Sequence, residues 1–193
     1  MSSPRSYCLF SLLFLCANVA HASELIEKVQ HAYQQTDQFQ ADFIQKTKIE
    51  VLDREVTEKG HMIFAKPGHF RIHYEGDRER VYVSDGKTLW ISHPKEKEVE
   101  TYKNQDILAK EALVFLGGLG EMTKEFRVSE NNGLVLIPKS KQSPFTKIIL
   151  TIDPKTSLVR GATLFPKSGN FSHYDFSHIQ TLELPQTTFK RPS

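Results

Sequence analysis

The chain has 193 residues and a formal net charge of +2 at pH 7, and its charged residues are scattered along the sequence. This balance excludes the dense basic patch of a nucleic-acid-binding protein. Both cysteines, Cys8 and Cys16, lie in the first 22 residues, so the remainder has no thiol for a disulfide, an iron–sulfur site or cysteine catalysis.

Residues 1–22 have the pattern of a secretory signal peptide. A positively charged start is followed by an apolar run from Leu9 to Val19, and Ala20–Ala22 matches the A-x-A cleavage signal. The run is too short for a stable membrane anchor. We therefore expect cleavage before Ser23 and one exported domain of residues 23–193.

The first predicted element of that domain is an amphipathic helix from Ser23, its N-cap candidate, to about Thr36. Its apolar side chains fall on one side: Leu25, Ile26, Val29 and Tyr33. Such a stripe needs a partner surface.

From Phe39 the period of the apolar residues changes to two, which is typical of strands. We predict a long strand from Phe39 to about Val51, a charged turn at Asp53-Arg54 and a return strand from about Val56 to Ala65.

The stretch Gly60–Trp90 is predicted to form four short strands, because Pro67-Gly68, Gly76-Asp77 and Asp85-Gly86 are turn signals. The alternate side chains are unusually bulky and would form one wide apolar wall. We predict the wall residues to be Met62, Phe64, Phe70, Ile72, Tyr74, Val83, Leu89 and Ile91.

A second helix is predicted between Asn104 and Gly120, with Asp106 as its cap and Gly117-Gly118 at its end. Further strands follow after about Phe126, in hairpins around Asn132-Gly133 and other turns, and Phe189 is expected in a last short strand.

The predicted fold is α+β, mainly β. A single antiparallel sheet of about eleven strands must twist and curl, which gives a half-barrel. Two or three helices would then form a lid over its concave face. The lid residues would be Leu25, Val29, Tyr33, Leu108, Leu113, Phe115 and Leu116.

No catalytic or metal-binding pattern is found. His69 and His73 are four apart on a predicted strand, a spacing of about 13 Å, which is too long for one zinc ion. The sequence contains no G-x-S-x-G or H-E-x-x-H motif. We therefore expect neither an enzyme nor a cofactor.

Three blocks together resemble the outer-membrane lipoprotein carrier family, LolA. They are Phe39–Gln45 (FQADFIQ), Gly60–Tyr74 (GHMIFAKPGHFRIHY) and Val83–Trp90 (VSDGKTLW). The resemblance implies a monomeric periplasmic chaperone that takes acylated lipoproteins from an inner-membrane ABC transporter to an outer-membrane receptor. The acyl chains would lie between half-barrel and lid, with Phe70 and its neighbours in the region of hydrophobic contact.

The chain departs from the family pattern at two places. The family usually has an arginine that holds the lid helices where this chain has Lys66. Lysine lacks the planar five-donor fork, so we expect lid locking that is weaker or built in another way. Family members often continue into a C-terminal segment that assists delivery, whereas only three residues follow Lys190 here. Handover is therefore expected to differ.

Two other functions remain open. A lipid-binding periplasmic sensor or receptor of the same fold would change a single response when depleted, whereas loss of a carrier would strand many lipoproteins. Leu15 precedes Cys16 where a lipoprotein signal needs a small residue, which disfavours an anchored receptor. An exported lipid-active enzyme is disfavoured by the lack of a nucleophile motif, and an esterase assay would test it.

Overall fold

The computed structural model describes residues 17–103, 122–181 and 183–192. These residues form eleven strands in one antiparallel sheet, so the prediction of a mainly β fold with a single sheet of about eleven strands is confirmed. The strands are β1 Gln38–Ile49, β2 Arg54–Ala65, β3 His69–Tyr74, β4 Arg80–Asp85, β5 Thr88–His93, β6 Glu98–Lys103, β7 Phe126–Glu130, β8 Leu134–Pro138, β9 Phe145–Ile152, β10 Val159–Pro166 and β11 Phe171–Thr181.

The described helices are few. The long helix α1 spans Ala17–Gln34 and the short α2 spans Met122–Glu125, and 3-10 turns span Glu50–Leu52 and Gln186–Phe189. The second predicted helix, at 104–120, lies outside the described residues.

The order of the strands is β6-β5-β4-β3-β2-β1-β11-β10-β9-β8-β7. Within the described residues, consecutive strands pair with each other except for β6 and β7, and one long-range pairing joins β1 to β11. These two strands lie at the centre of the sheet, and the consecutive strands β6 and β7 form its edges.

One face of the sheet is strongly apolar, and we call it the apolar face. Phe39, Ala41 and Phe43 of β1 are all buried on it, and the register places Phe64 opposite Phe39 and Met62 opposite Ala41. Helix α1 packs on this side through Val29 and Tyr33, which belong to the same buried cluster. The alternation of side chains along the strands thus gives the apolar face against which the apolar side chains of α1 pack.

Two expectations about the elements are wrong. Ser23 does not begin α1, because the described helix already includes Ala17 and runs through Ser23. Phe189 belongs to the 3-10 turn Gln186–Phe189 and not to a strand. Both sides of β11 are already paired, with β1 and β10, so the chain beyond it has no free neighbouring edge to join.

Candidate functional site

A pocket lies between the end of α1 and the middle of the sheet. Its cavity volume is about 10 Å³, room for about one water molecule. The side chains around it come from α1 and the segment after it, from β1 and β2, and from β10 and β11. They are Tyr33, Thr36, Phe39, Ala41, Met62, Leu158, Val159, Phe176 and Ile179.

Each of the two hydroxyl groups that line this pocket makes a hydrogen bond to the protein backbone. The hydroxyl of Tyr33 accepts a hydrogen bond from the backbone N–H of Val159 at 3.1 Å, and the hydroxyl of Thr36 donates to the carbonyl of Ala32 at 2.9 Å. Burial raises the pKa of Tyr33 to about 12, so the phenol stays neutral. The pocket therefore offers a ligand apolar surface.

A bulge in β11 shapes one wall of the pocket. The β1–β11 register shifts between Gln40 and Asp42, and His178 has a positive φ of 50°, which fits the left-handed residue of a bulge. Ile179 is thereby turned toward the pocket, although it is three residues from Phe176, the other lining residue of β11.

On the other side of the sheet, His178 contacts Asp42. One Asp42 oxygen lies 2.9 Å from Nδ1 of His178 and the other lies 2.8 Å from Nδ1 of His61. These hydrogen bonds, to His61 first and then to His178, lower the pKa of Asp42. The contact with Asp42 thus restrains His178 at the position of the bulge.

Most of the predicted wall residues share the apolar face. Met62 lines the pocket itself. An aromatic row continues from it, because the ring of Phe64 lies 5.3 Å from Phe39 and 6.0 Å from Phe70. The register places the remaining members of the same face further along the sheet: Ile72, Tyr74, Leu89 and Ile91.

The prediction for Val83 is wrong, because this residue lies on the opposite face. It pairs with Arg71 and Trp90, whereas Tyr74 pairs with Arg80. Even-numbered residues of β3 and β4 therefore share a face, and the length of the turn between them sets that parity. Val83 is buried all the same, since the 3-10 turn Gln186–Phe189 packs across β3 and β4 on that side.

The predicted lid is described in part. Val29 and Tyr33 are buried and Leu25 is partly buried against the same cluster. The other four predicted lid residues, Leu108, Leu113, Phe115 and Leu116, lie outside the described residues.

Lys66 contacts the C-terminal end of α1. Its Nζ donates a hydrogen bond to the carbonyl oxygen of Gln34 at 2.9 Å and lies 3.6 Å from a carboxylate oxygen of Asp37. Its backbone N–H also donates to the carbonyl of Asp37 at 2.9 Å. A cation at a helix C-terminus is favourable because the carbonyl groups there carry partial negative charge.

Sequence reasoning missed most of the pocket. Phe39 and Ala41 belong to an alternating pattern that pointed to the sheet but not to the pocket. Phe176 and Ile179 carry no sequence signal, because the bulge at His178 breaks the period of two. Leu158 precedes β10 and Val159 is its first residue, but nothing in the sequence pattern placed them beside α1.

No helix in the described ranges is both long and apolar enough to cross a membrane. Among the same residues, no three histidine, aspartate or glutamate side chains converge as metal ligands.

Sequence comparison finds one family over most of the chain. A model described as outer membrane lipoprotein carrier protein LolA matches residues 34–192. An outer-membrane lipoprotein carrier protein of Glaesserella parasuis is 28% identical over 185 residues, which cover 94% of this chain and 88% of that protein. Another, from Azotobacter vinelandii, is 30% identical over 142 residues, covering 69% and 68%.

Solved structures share the fold at low identity. A LolA superfamily protein from Nitrosomonas europaea has a TM-score of 0.50 at 15% identity, covering 88% of this chain and 97% of that one. A conserved protein from Thermus thermophilus has a TM-score of 0.54 at 13% identity, covering 90% and 94%.

Proposed function

The chain belongs to the LolA family of outer membrane lipoprotein carrier proteins, and we propose on that basis that it carries acylated lipoproteins through the periplasm. It would receive them from an inner-membrane ABC transporter and deliver them to an outer-membrane receptor. Carriers of this family are chaperones and not enzymes, so binding and release are the whole of the activity.

The observation that carries the proposal is the pocket under α1. Its lining is apolar and its hydroxyl groups are engaged with the protein backbone. Acyl chains bind through surface of this kind, because each methylene removed from water contributes about 0.8 kcal/mol.

The size of the pocket implies that α1 moves during loading. The cavity volume is about 10 Å³, room for about one water molecule and far below the range of about 300–1,000 Å³ for ligand pockets. Several acyl chains need more room than that. We therefore propose that α1, with Leu25, Val29 and Tyr33, is a lid, and that displacing it exposes the aromatic row of Phe39, Phe64 and Phe70.

Spheroplasts with an active transporter provide the test. Purified protein should release newly made lipoproteins into the supernatant as soluble one-to-one complexes. A folded protein that leaves the lipoproteins in the membrane would contradict the proposal.

A pair of matched variants makes the test specific to the pocket. Ile179 lines the pocket and Ile149 lies on the opposite face, and both are half-buried. We expect Ile179→Asn to weaken release several-fold and Ile149→Asn to leave it unchanged, at equal thermal stability. An equal loss of release in both variants would show that release does not depend on the pocket.

A further inference from the structure

The apolar face ends in a cluster of polar side chains. Along β1 the buried row Phe39, Ala41, Phe43 continues with Gln45, which is also buried. The hydroxyl of Tyr74 donates to Oε1 of Gln45 at 2.9 Å. The amide nitrogen of Gln45 donates to the hydroxyl of Thr47 at 2.9 Å.

An ion pair lies beside these groups. Arg80 donates through both terminal nitrogens to Glu58, at 2.8 and 3.2 Å, and its guanidinium lies 3.8 Å from the ring centroid of Tyr74. Only 19% of the Arg80 side chain and 16% of the Glu58 side chain are exposed. We call these groups the polar cluster: Gln45, Thr47, Glu58, Tyr74 and Arg80.

The polar cluster and the pocket lie at two ends of one surface. Ala41 lines the pocket and Gln45 is four residues further along the same strand, a distance of about 13 Å. The residues between them on neighbouring strands are apolar, since Phe43 packs edge-on against Tyr74 at 4.9 Å and Ile72 pairs with Met62. The apolar face is thus continuous from the pocket to the ion pair of Arg80 and Glu58.

We propose that the polar cluster limits how far an acyl chain can extend along the apolar face, and so sets the longest chain that binds with full benefit. This inference rests on the proposed function. A methylene that reached Arg80 and Glu58 would remove their remaining water without replacing its hydrogen bonds. Methylene groups of a chain that ends before the polar cluster would instead gain apolar contact with Phe43 and Ile72.

The variant that tests this replaces both charges. In Glu58→Met/Arg80→Met the ion pair becomes apolar surface of similar volume, a change that proteins often tolerate. A single replacement would leave the other charge buried and unpaired. The matched control is Arg78→Met, because Arg78 lies 3.5 Å from Glu58 but its side chain is 68% exposed.

The measurement is the affinity for short peptides that carry one saturated acyl chain, from lauroyl through palmitoyl and stearoyl to arachidoyl. In the wild type we expect affinity to rise with length and then level off. In the double variant it should keep rising, by about fourfold per further methylene. Arg78→Met should follow the wild type.

Peptides with an ω-hydroxyl on the acyl chain give a second arm that needs no variant. The hydroxyl should weaken binding of the short chains, which end against apolar side chains. It should not weaken binding of chains long enough to reach Tyr74 and Arg80.

The outcomes separate the two proposals. If no acyl peptide binds the wild type, the proposed function fails. If acyl peptides bind but the wild type shows no levelling, or the folded double variant keeps the wild-type profile, only the limit on chain length is overturned. An ω-hydroxyl penalty that is the same at every length overturns it as well.

Discussion

The Nζ atom of Lys66 donates a hydrogen bond to the carbonyl oxygen of Gln34, 2.9 Å away. Gln34 is the last residue of α1 and Lys66 follows the last residue of β2. One side chain therefore ties the helix over the pocket to the turn between β2 and β3.

Lys66→Met should loosen α1. The variant loses a charged hydrogen bond and a favourable charge at the helix C-terminus, together about 1 kcal/mol at this partly exposed position. We expect faster amide hydrogen exchange in residues 25–34 and stronger fluorescence of a dye that binds apolar surface. Lys59→Met is the control, because the Lys59 side chain is more exposed than that of Lys66 and pairs with Glu75 away from the helix. Equal exchange in both variants would show that Lys66 does not restrain α1.

Lys66→Arg should have the opposite effect. The guanidinium has more donors in a fixed plane, so it can bond to Gln34 and Asp37 together. We expect slower exchange in α1 and slower loading of an acyl peptide in stopped-flow fluorescence. Loading as fast as in the wild type would contradict a locking role for this position.

Gly60→Ala should strongly destabilise the sheet. An added Cβ would lie 2.0 Å from the carbonyl oxygen of His73 and 2.7 Å from the ring of Phe43. We expect a loss of about 2–3 kcal/mol or more in the free energy of unfolding. Gly76→Ala is the comparison, since Gly76 has a φ of +99° but no atom within 4 Å of an added Cβ. Its loss should be nearer 1 kcal/mol, and urea titration would detect a reversal of this order.

Stability should fall at alkaline pH because of two buried tyrosines. Burial raises the pKa of Tyr33 and of Tyr74 from the ordinary value of about 10 to about 12. Their contribution is fully present below the unfolded pKa of about 10 and is lost as pH rises toward about 12, because only the unfolded chain ionises. Each tyrosine should remove about 2–3 kcal/mol over that range.

Tyr33→Phe separates this effect from the hydrogen bond. At neutral pH the variant should lose about 1–3 kcal/mol, since the buried N–H of Val159 is left without its partner. Its stability should then fall less steeply with rising pH than that of the wild type. Parallel curves in urea titrations would contradict the assignment.

The bulge in β11 should discriminate between substitutions at His178. Its φ of 50° suits glycine and is unfavourable for a β-branched residue. We expect His178→Val to cost about 1–3 kcal/mol and to weaken acyl binding through Ile179. His178→Gly should be nearly neutral, because relief of backbone strain offsets the lost contact with Asp42. Similar losses in both variants would argue against a bulge at this position in solution.

The local elements were predictable because their causes are local. The Asp85-Gly86 turn is an example, since the Asp85 carboxylate accepts hydrogen bonds from the N–H groups of Lys87 and Thr88 and Gly86 has a φ of +85°. The alternation from Phe39 to Gln45 likewise fixed the buried face of β1. Turn chemistry and period two need no distant partner.

The sequence-based predictions were wrong or incomplete where contacts between residues distant in the chain determine the position of a side chain. The face of Val83 depends on the register across the five-residue turn between β3 and β4, and its burial depends on the 3-10 turn Gln186–Phe189, far along the chain. Ile179 reaches the pocket only because β11 bulges against β1. The α1 contact of Lys66 was expected from family resemblance, and its partner Gln34 could not be read from the residues themselves.

The central pairing of β1 with β11 has a consequence for how the chain folds. These strands are separated by more than a hundred residues in sequence, so during synthesis the outer edge of β1 is left open until nearly the whole polypeptide has emerged. An open, long strand edge is a template for aggregation, and pairing of such high contact order is slow. A chain that ends before β11 would leave the meander β1 to β6 unpaired with the meander that follows it. Formation of β11 is therefore the step that completes the domain.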